Sequence, residues 1–267
     1  MMGKWAAAAA VLLMTMLSVA AGSARADSAI DAIKARGKLL AGVKYDTPPF
    51  GYLDDKNEVV GFDVDLMREI AKAMGVGIEL VKVTSPTRIP LLVSGNVDIV
   101  AASMTHTRER EGAIDFSITY YTGAQALMVP ASSPIKGLGD LADKTVAVQQ
   151  GTTLEKTLAK LAPQAKVQSF RDYTTAWLAL RQGRADAFTG SYDILRGFAR
   201  EAQGFHIVGD KFSVEPFGIG IRHGDWQMRN LVNAVLQDLW TSGRYQQIYH
   251  QWFQVDPDIP IETWPKG

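Results

Sequence analysis

The stretch LVSGNVDIVAAS, residues 92–103, shares a skeleton with LRQGRADAFTGS, residues 180–191. Leu92, Gly95, Asp98 and Ser103 match Leu180, Gly183, Asp186 and Ser191, each pair 88 residues apart. In each copy a helix runs out at the Gly, a turn follows, the Asp opens a strand and the Ser ends it. Gly-x-x-Asp is also ordinary helix-to-strand turn chemistry and can recur for that reason alone. If the copies are equivalent, the chain builds two similar sheets, each ending a strand on a hydroxyl. Ligands of open α/β sheets bind outside the carboxyl ends of strands, so Ser103 and Ser191 would face one cleft from opposite sides.

The segments around the two copies support that architecture. LLAGV (39–43), IELVKV (78–83), VDIVAAS (97–103), TVAVQQ (145–150) and ADAFTG (185–190) read as strands. FDVDLMREIAKAMG (62–75) repeats Phe62, Leu66, Ile70 and Met74 at helical spacing and stops at Gly75. TTLEKTLAKLA (152–162) and YTTAWLALRQG (173–183) are further helices, and the tail from Asp225 to Phe253 reads as two helices broken at Gly243. Strands alternating with helices predict an α/β chain with largely parallel sheets.

The first residues read differently. Lys4 precedes an almost wholly apolar run from Trp5 to Gly22, and Ala24-Arg25-Ala26 gives a small-x-small cleavage pattern. Residues 1–26 are therefore expected to be a cleaved secretory signal; an uncleaved membrane anchor is the alternative, because the run approaches spanning length. The remaining chain carries 26 basic and 28 acidic residues, which gives no basic excess for nucleic acid or an anionic membrane. It has no cysteine, so neither disulfides nor an N-terminal lipid-bearing cysteine is available. A protein released into a bacterial periplasm fits these features best.

Chemistry concentrates beyond the strand tips. MTHTRERE (104–111) places Thr105, His106, Thr107, Arg108 and Arg110 just after Ser103, and VQQGTTLEKTL (148–158) sets Thr152 and Thr153 at a helix start, with Gln150 at the preceding strand end. Free N–H groups at a helix start suit a carboxylate, and an arginine adds a two-pronged grip. Thr105, Arg110 and Thr153 can thus form a carboxylate clamp. Equally, Thr153 can simply cap its helix while Arg110 pairs with Glu109 or Glu111 in water.

Six segments, GVKYDTPPFGY (42–52), GFDVDLMREIAKAMG (61–75), TRIPLLVSGNVDIVAASMTHTRERE (87–111), IDFSITYY (114–121), VAVQQGTTLEKTL (146–158) and EPFGIGIR (215–222), together resemble the periplasmic amino-acid-binding proteins of ABC importers, the polar amino acid type of solute-binding protein family 3. The resemblance spans Gly37 to Phe253. It implies a two-lobed type II periplasmic-binding fold, closing over one amino acid and working as a monomer with a membrane permease, without cofactor or metal. Lobe 1 would be residues 27–127 plus 219–267 and lobe 2 residues 128–218, with strands crossing near 126–130 and 215–218. In such proteins the ligand's α-carboxylate is held at positions that fall here on Arg110, Thr105 and Thr153, and aromatics of the Pro-Pro-Phe-Gly loop, here Phe50 and Tyr52, flank the ligand.

One position departs from the family. Relatives place an Asp at the second strand tip to pair the ligand's α-ammonium, and that position is Ser191 here. Asp193 or Glu215 could supply the missing charge, although Asp193 also suits a helix start; otherwise the ligand lacks a free α-ammonium or its amine meets neutral acceptors. Lys44 and Arg88 lie where relatives specific for acidic ligands hold a side-chain carboxylate, which points to an acidic amino acid or small dicarboxylate; alternatively Arg88 pairs with Asp46 or Glu79. Asp63 and Asp65, in a first helical turn, read as helix-start charges. An enzyme on the same fold, of the kind that removes water and carbon dioxide from prephenate-like substrates, is the rival reading because Ser103, His106 and Glu109 are close in sequence. No Gly-x-Ser-x-Gly elbow supports it, and His106, His206, His223 and His250 lack paired metal-ligand spacing. A binding protein that reports to a signalling receptor is a third possibility.

Overall fold

The computed structural model describes residues 28–257 and 260–261; the leader expected over residues 1–26 lies outside them. The chain enters through α1 (Ala29–Arg36), capped reciprocally by Ser28 and Asp31, and passes Gly37 into β1 (Lys38–Val43). A small meander, β2 (Asp46–Thr47), β3 (Gly51–Leu53) and β4 (Val59–Val60), leads to α2 (Phe62–Met74) and β5 (Gly77–Lys82). Then follow α3 (Arg88–Val93), β6 (Ile99–Val100), α4 (Arg108–Glu111) and β7 (Ile114–Phe116). The chain leaves this lobe through β8 (Tyr121–Gly123) and builds β9 (Gln125–Pro130), β10 (Thr145–Gln149), α5 (Leu154–Leu161), β11 (Lys166–Phe170), α6 (Tyr173–Arg181), β12 (Ala187–Ser191), α7 (Tyr192–Glu201) and β13 (Phe205–Val208). It returns through β14 (Glu215–Phe217) to β15 (Gly220–Arg222), α8 (Trp226–Thr241) and α9 (Arg244–Phe253), with Gly243 left-handed between the last two helices.

Among the described residues the two large sheets have five strands each, ordered β5-β1-β6-β15-β7 and β11-β10-β12-β9-β13. Both follow one plan. In each, a central strand (β1 or β10) lies between the next two strands of its sheet (β5 and β6, or β11 and β12), all three parallel, and the strand arriving from the crossing (β15 or β9) inserts antiparallel beside β6 or β12. The crossings pair as a two-stranded ribbon with Gly123 opposite Glu215 and Tyr121 opposite Phe217. The second strand of the ribbon is Glu215–Phe217. The first lies earlier than residues 126–130, which belong to β9 inside the second sheet. The reason is apolarity: Ala126, Leu127, Met128 and Val129 are all buried, as a strand covered on both faces requires.

The repeated skeleton has a structural cause. Leu92 and Leu180 are buried, and Gly95 (φ 76°) and Gly183 (φ 69°) take the left-handed turn that glycine tolerates. The Asp98 N–H donates to the Leu40 carbonyl at 2.8 Å, and its carboxylate accepts the Leu40 N–H at 2.8 Å. Asp186 does the same with Thr145, donating at 2.8 Å and accepting at 2.7 Å. Each aspartate thus staples the third strand of its lobe to the first, at the end away from the strand tips. The predicted strand over 97–103 is shorter in fact, Ile99–Val100, because the chain turns sharply at Ser103, φ 46°.

The two staples differ in burial. Asp98 is buried and also pairs with Arg36, whereas Asp186 is exposed. Replacing the buried Asp98 by Ala strands the half-buried Leu40 N–H and a guanidinium partner and should cost about 2–3 kcal/mol in urea unfolding, against about 1 kcal/mol for Asp186→Ala. Equal losses would show that the staple's worth does not depend on burial.

Candidate ligand-binding site

The carboxyl ends of both sheets point into one narrow cavity lined by Arg88, Ser103, Thr105 and Arg110 from the first lobe, Gln125, Thr153, Tyr173 and Ser191 from the second, and Glu215 and Phe217 from the ribbon. Leu154 and Ile194 supply apolar wall. Beyond Arg110 and Glu215 the space widens into a mouth of about 900 Å³ between the lobes.

Ser103 is placed by a buried carboxylate. Its N–H donates to Asp63 Oδ2 at 2.9 Å, and the Tyr120 hydroxyl donates to Oδ1 at 2.8 Å. Asp63, at the start of α2, is therefore not a solvated helix-start charge: it is fully buried and holds the strand tip in a left-handed conformation that a serine resists. Asp65 behaves as the sequence suggests, paired with Arg68 and accepting from the Trp252 indole.

From this tip the chain crosses the ribbon. The His106 N–H donates to the Pro216 carbonyl at 2.7 Å, and Thr107 caps the single turn α4 that carries Arg110. The Arg110 guanidinium donates to the Thr105 carbonyl at 2.6 Å and, across the cleft, to the Gly151 carbonyl at 3.1 Å. Arg88 is fully buried and donates to the carbonyls of Ala102 at 2.7 Å and Gly151 at 3.4 Å. It pairs with neither Asp46 nor Glu79: Asp46 accepts the Tyr173 N–H across the lobes, and Glu79 pairs with Lys38. Gly151 is left-handed (φ 74°), and a Cβ there would lie 2.9 Å from Pro86 N, so only glycine lets the lobes meet at this point.

The opposing carboxylate is Glu215. It accepts from the Thr105 hydroxyl at 2.5 Å, the Thr153 hydroxyl at 2.8 Å and Gln125 Nε2 at 2.8 Å. Thr153 makes no side-chain cap on α5; its hydroxyl serves Glu215 instead. Among the described residues, the buried Ser103 Oγ, Ser191 Oγ, Gln125 Oε1 and Arg88 Nε have no hydrogen-bond partner in the protein.

The other sequence candidates lie elsewhere. Lys44 sits one layer behind the cavity, its Nζ 2.7 Å from Gln149 Oε1 and 4.6 Å from the Tyr173 ring centroid. Phe50 packs edge-on against Phe62, Tyr121, Phe217 and Phe253 beneath the ribbon, and Tyr52 meets Trp252. Asp193 accepts from Tyr121 and pairs with Arg196, facing a different crevice. Gln150 is exposed; strand alternation turns its neighbour Gln149 inward. The trio Ser103, His106 and Glu109 does not assemble, because His106 stacks on Phe116 and bonds to Glu111, while Glu109 pairs with Lys156. Gln125 and Tyr173 are lining residues that the sequence reading missed. A lone glutamine opening an apolar strand was the available signal for the first.

Among the described residues no helix is long and apolar enough to cross a membrane, and no group of three or more His, Asp or Glu is placed to hold a metal ion. Two five-stranded sheets of one plan, a two-stranded ribbon and a polar cavity between strand tips define a two-lobed ligand-binding protein. Residues 39–255 match the bacterial extracellular solute-binding proteins, family 3, and the chain belongs to that family, with its type II fold. It is 38% identical to the ABC transporter glutamine-binding protein GlnH of Bacillus subtilis over 233 residues, 85% of each chain. Among solved structures it is similar to an ancestral arginine-binding protein bound to glutamine, with TM-score 0.80 and 38% identity, over 82% of this chain and 99% of that one. It is also similar to an ancestral amino-acid-binding protein described as a precursor of cyclohexadienyl dehydratase, with TM-score 0.80 and 37% identity, over 85% of this chain and all of that one.

Burial sets the protonation of the groups behind the cavity. Desolvation, with help from the Arg88 charge, lowers the Lys44 ammonium from 10.5 to about 7. Desolvation raises Asp63 to about 6 against the bonds from Tyr120 and Ser103, and lowers Arg88 to about 9 with Arg110 repelling it. For Lys44 the folded pKa lies below the unfolded one, so between pH 7 and 10.5 the unfolded chain holds a proton that the folded chain has shed. Stability therefore rises with pH across that window, and the full penalty is present below it. For Asp63, from 3.8 to about 6, stability falls as pH rises. Melting curves of Lys44→Met should lose the upward slope that the wild type shows from about pH 7 to about pH 9.5; an identical slope in both would exclude Lys44 as its source.

Proposed function

We propose that this protein captures an amino acid with a polar side chain in the periplasm and delivers it, as a monomer, to the permease of an ABC importer. The observation that carries this reading is a dipolar cavity closed from both lobes, with the Arg110 guanidinium on one side and the Glu215 carboxylate on the other. A zwitterion fits such a field, and desolvation strengthens each contact. Arg110, the neighbourhood of Thr105 and the start of α5 at Thr153 form the clamp for the α-carboxylate. Arg88, with its free Nε edge, suits an acceptor oxygen on the ligand's side chain, whether carboxylate or amide. The relatives named for glutamine and the family's extracellular role support the assignment.

Closure follows as a ligand-shifted equilibrium, since only the closed state joins both halves of the clamp. An apolar wall of Leu154, Ile194 and Phe217 shields the site from water. The reading is of a carrier rather than an enzyme. Steady turnover of prephenate or arogenate by the pure protein would overturn it.

A thermal-shift panel of amino acids, dicarboxylates and amine-free analogues ranks ligands through the stabilisation that binding confers. Arg110→Ala should weaken the best of them at least about a hundredfold, near 3 kcal/mol, while His106→Ala leaves affinity almost unchanged. Native affinity in the Arg110 variant would remove the clamp assignment.

A further inference from the structure

Resting on the reading of the cavity as an amino-acid site, we infer that the ligand's α-ammonium is read by the hinge ribbon, through Glu215 together with Gln125 Oε1 and Ser191 Oγ, and not by a carboxylate at the second strand tip. The three groups meet at one place in the fold. Gln125 and Ser191 are directly paired across β9 and β12. Glu215 is opposite Gly123 in the ribbon, and the Ser191 hydroxyl lies 3.0 Å from where a Cβ on Gly123 would stand. Glycine at 123 thus keeps the serine hydroxyl against the ribbon beside Glu215.

The hydrogen-bond polarities are fixed by the carboxylate. Glu215 is acceptor-only when ionised, so the end of Gln125 facing it must be the amide NH₂. That NH₂ donates to Glu215 Oε1 at 2.8 Å and to Thr153 Oγ1 at 2.9 Å, leaving Gln125 Oε1 as a buried carbonyl oxygen without a protein donor. Ser191 Oγ is likewise buried without a partner. A carboxylate oxygen, an amide oxygen and a hydroxyl oxygen make three acceptors for the three N–H bonds of an ammonium, with one formal negative charge to neutralise it. The alternative carboxylate, Asp193, is occupied by Tyr121 and Arg196 and lines a different crevice.

The test compares matched pairs by calorimetry: L-glutamine with glutaramate, L-glutamate with glutarate, and L-arginine with 5-guanidinopentanoate. The wild type should prefer the amine-bearing member of whichever pair it binds. Glu215→Gln should weaken that member roughly ten- to a hundredfold and leave its amine-free counterpart unchanged or bound more tightly, because a negative charge near two carboxylate-binding arginines has gone. Adding Ser191→Asp to Glu215→Gln should recover the preference for the amine. Gln125→Ala keeps the carboxylate and should give the same selective loss in smaller degree, which decides the matter if Glu215→Gln fails to fold. Equal loss for both members of a pair, or no loss for either, would overturn the assignment while the amino-acid site stands. A wild type that binds no member of any pair would fell the amino-acid reading itself.

Discussion

Two guanidinium groups share one carbonyl. Arg88 and Arg110 both donate to the oxygen of Gly151 and repel each other, Arg88 fully buried and Arg110 half-buried at the cavity's mouth. A buried cation is expensive, and here main-chain carbonyls solvate the guanidinium groups while, among the described residues, no carboxylate pairs directly with either. The arrangement fixes much around it. Gly151 must be glycine to bring its carbonyl within reach, Ala102 must stop short of the strand tip to offer another, and Asp63 must stay buried behind Ser103 to keep that tip turned. Two cations held this close repel each other.

Glu215 is the counterweight, and its position on the ribbon matters as much as its charge. Its oxygens take hydroxyls from Thr105 in one lobe and Thr153 in the other, so the same carboxylate that balances the arginines also ties the lobes at the hinge. The ribbon's own Tyr121 and Phe217 pack against Phe50, and Tyr121 also against Phe62, which gives the ribbon a packed floor.

Much of this was legible in the sequence. The duplicated skeleton implied the two sheets, and the residues on it or just after it, Ser103, Thr105, Arg110 and Ser191, line the cavity together with Thr153 at the helix start after β10, because their spacing from a strand tip is set locally. What failed depends on long-range packing. Phe50 and Tyr52 follow a loop whose apolar residues turn into the core, which local pattern does not distinguish from a loop facing a cleft. A strand end does not reveal its parity without its neighbours, so the pattern does not show that Gln149 turns inward while Gln150 is exposed. Asp63 resembled any acidic residue in a first helical turn, and only its contact with residue 103, forty positions away, shows its purpose. The first crossing was placed inside β9 for a related reason: an apolar run names a buried strand but not the sheet that buries it.

The paired staples have a mechanical side. Asp98 and Asp186 each lock the third strand to the first within their own lobe, at the end remote from the cleft. Neither reaches across the ribbon. Each sheet is thus a plate pinned at its back edge, and a swing of one lobe against the other leaves both pins untouched. The two serines lie at the front edges of these plates close to the ribbon, Ser191 against Gly123 and Ser103 two residues before the Thr105–Phe217 bridge, where a rotation at the ribbon displaces them least. The duplication that writes Leu-x-x-Gly-x-x-Asp-x-x-x-x-Ser twice is, in this light, the plan of a pair of rigid jaws.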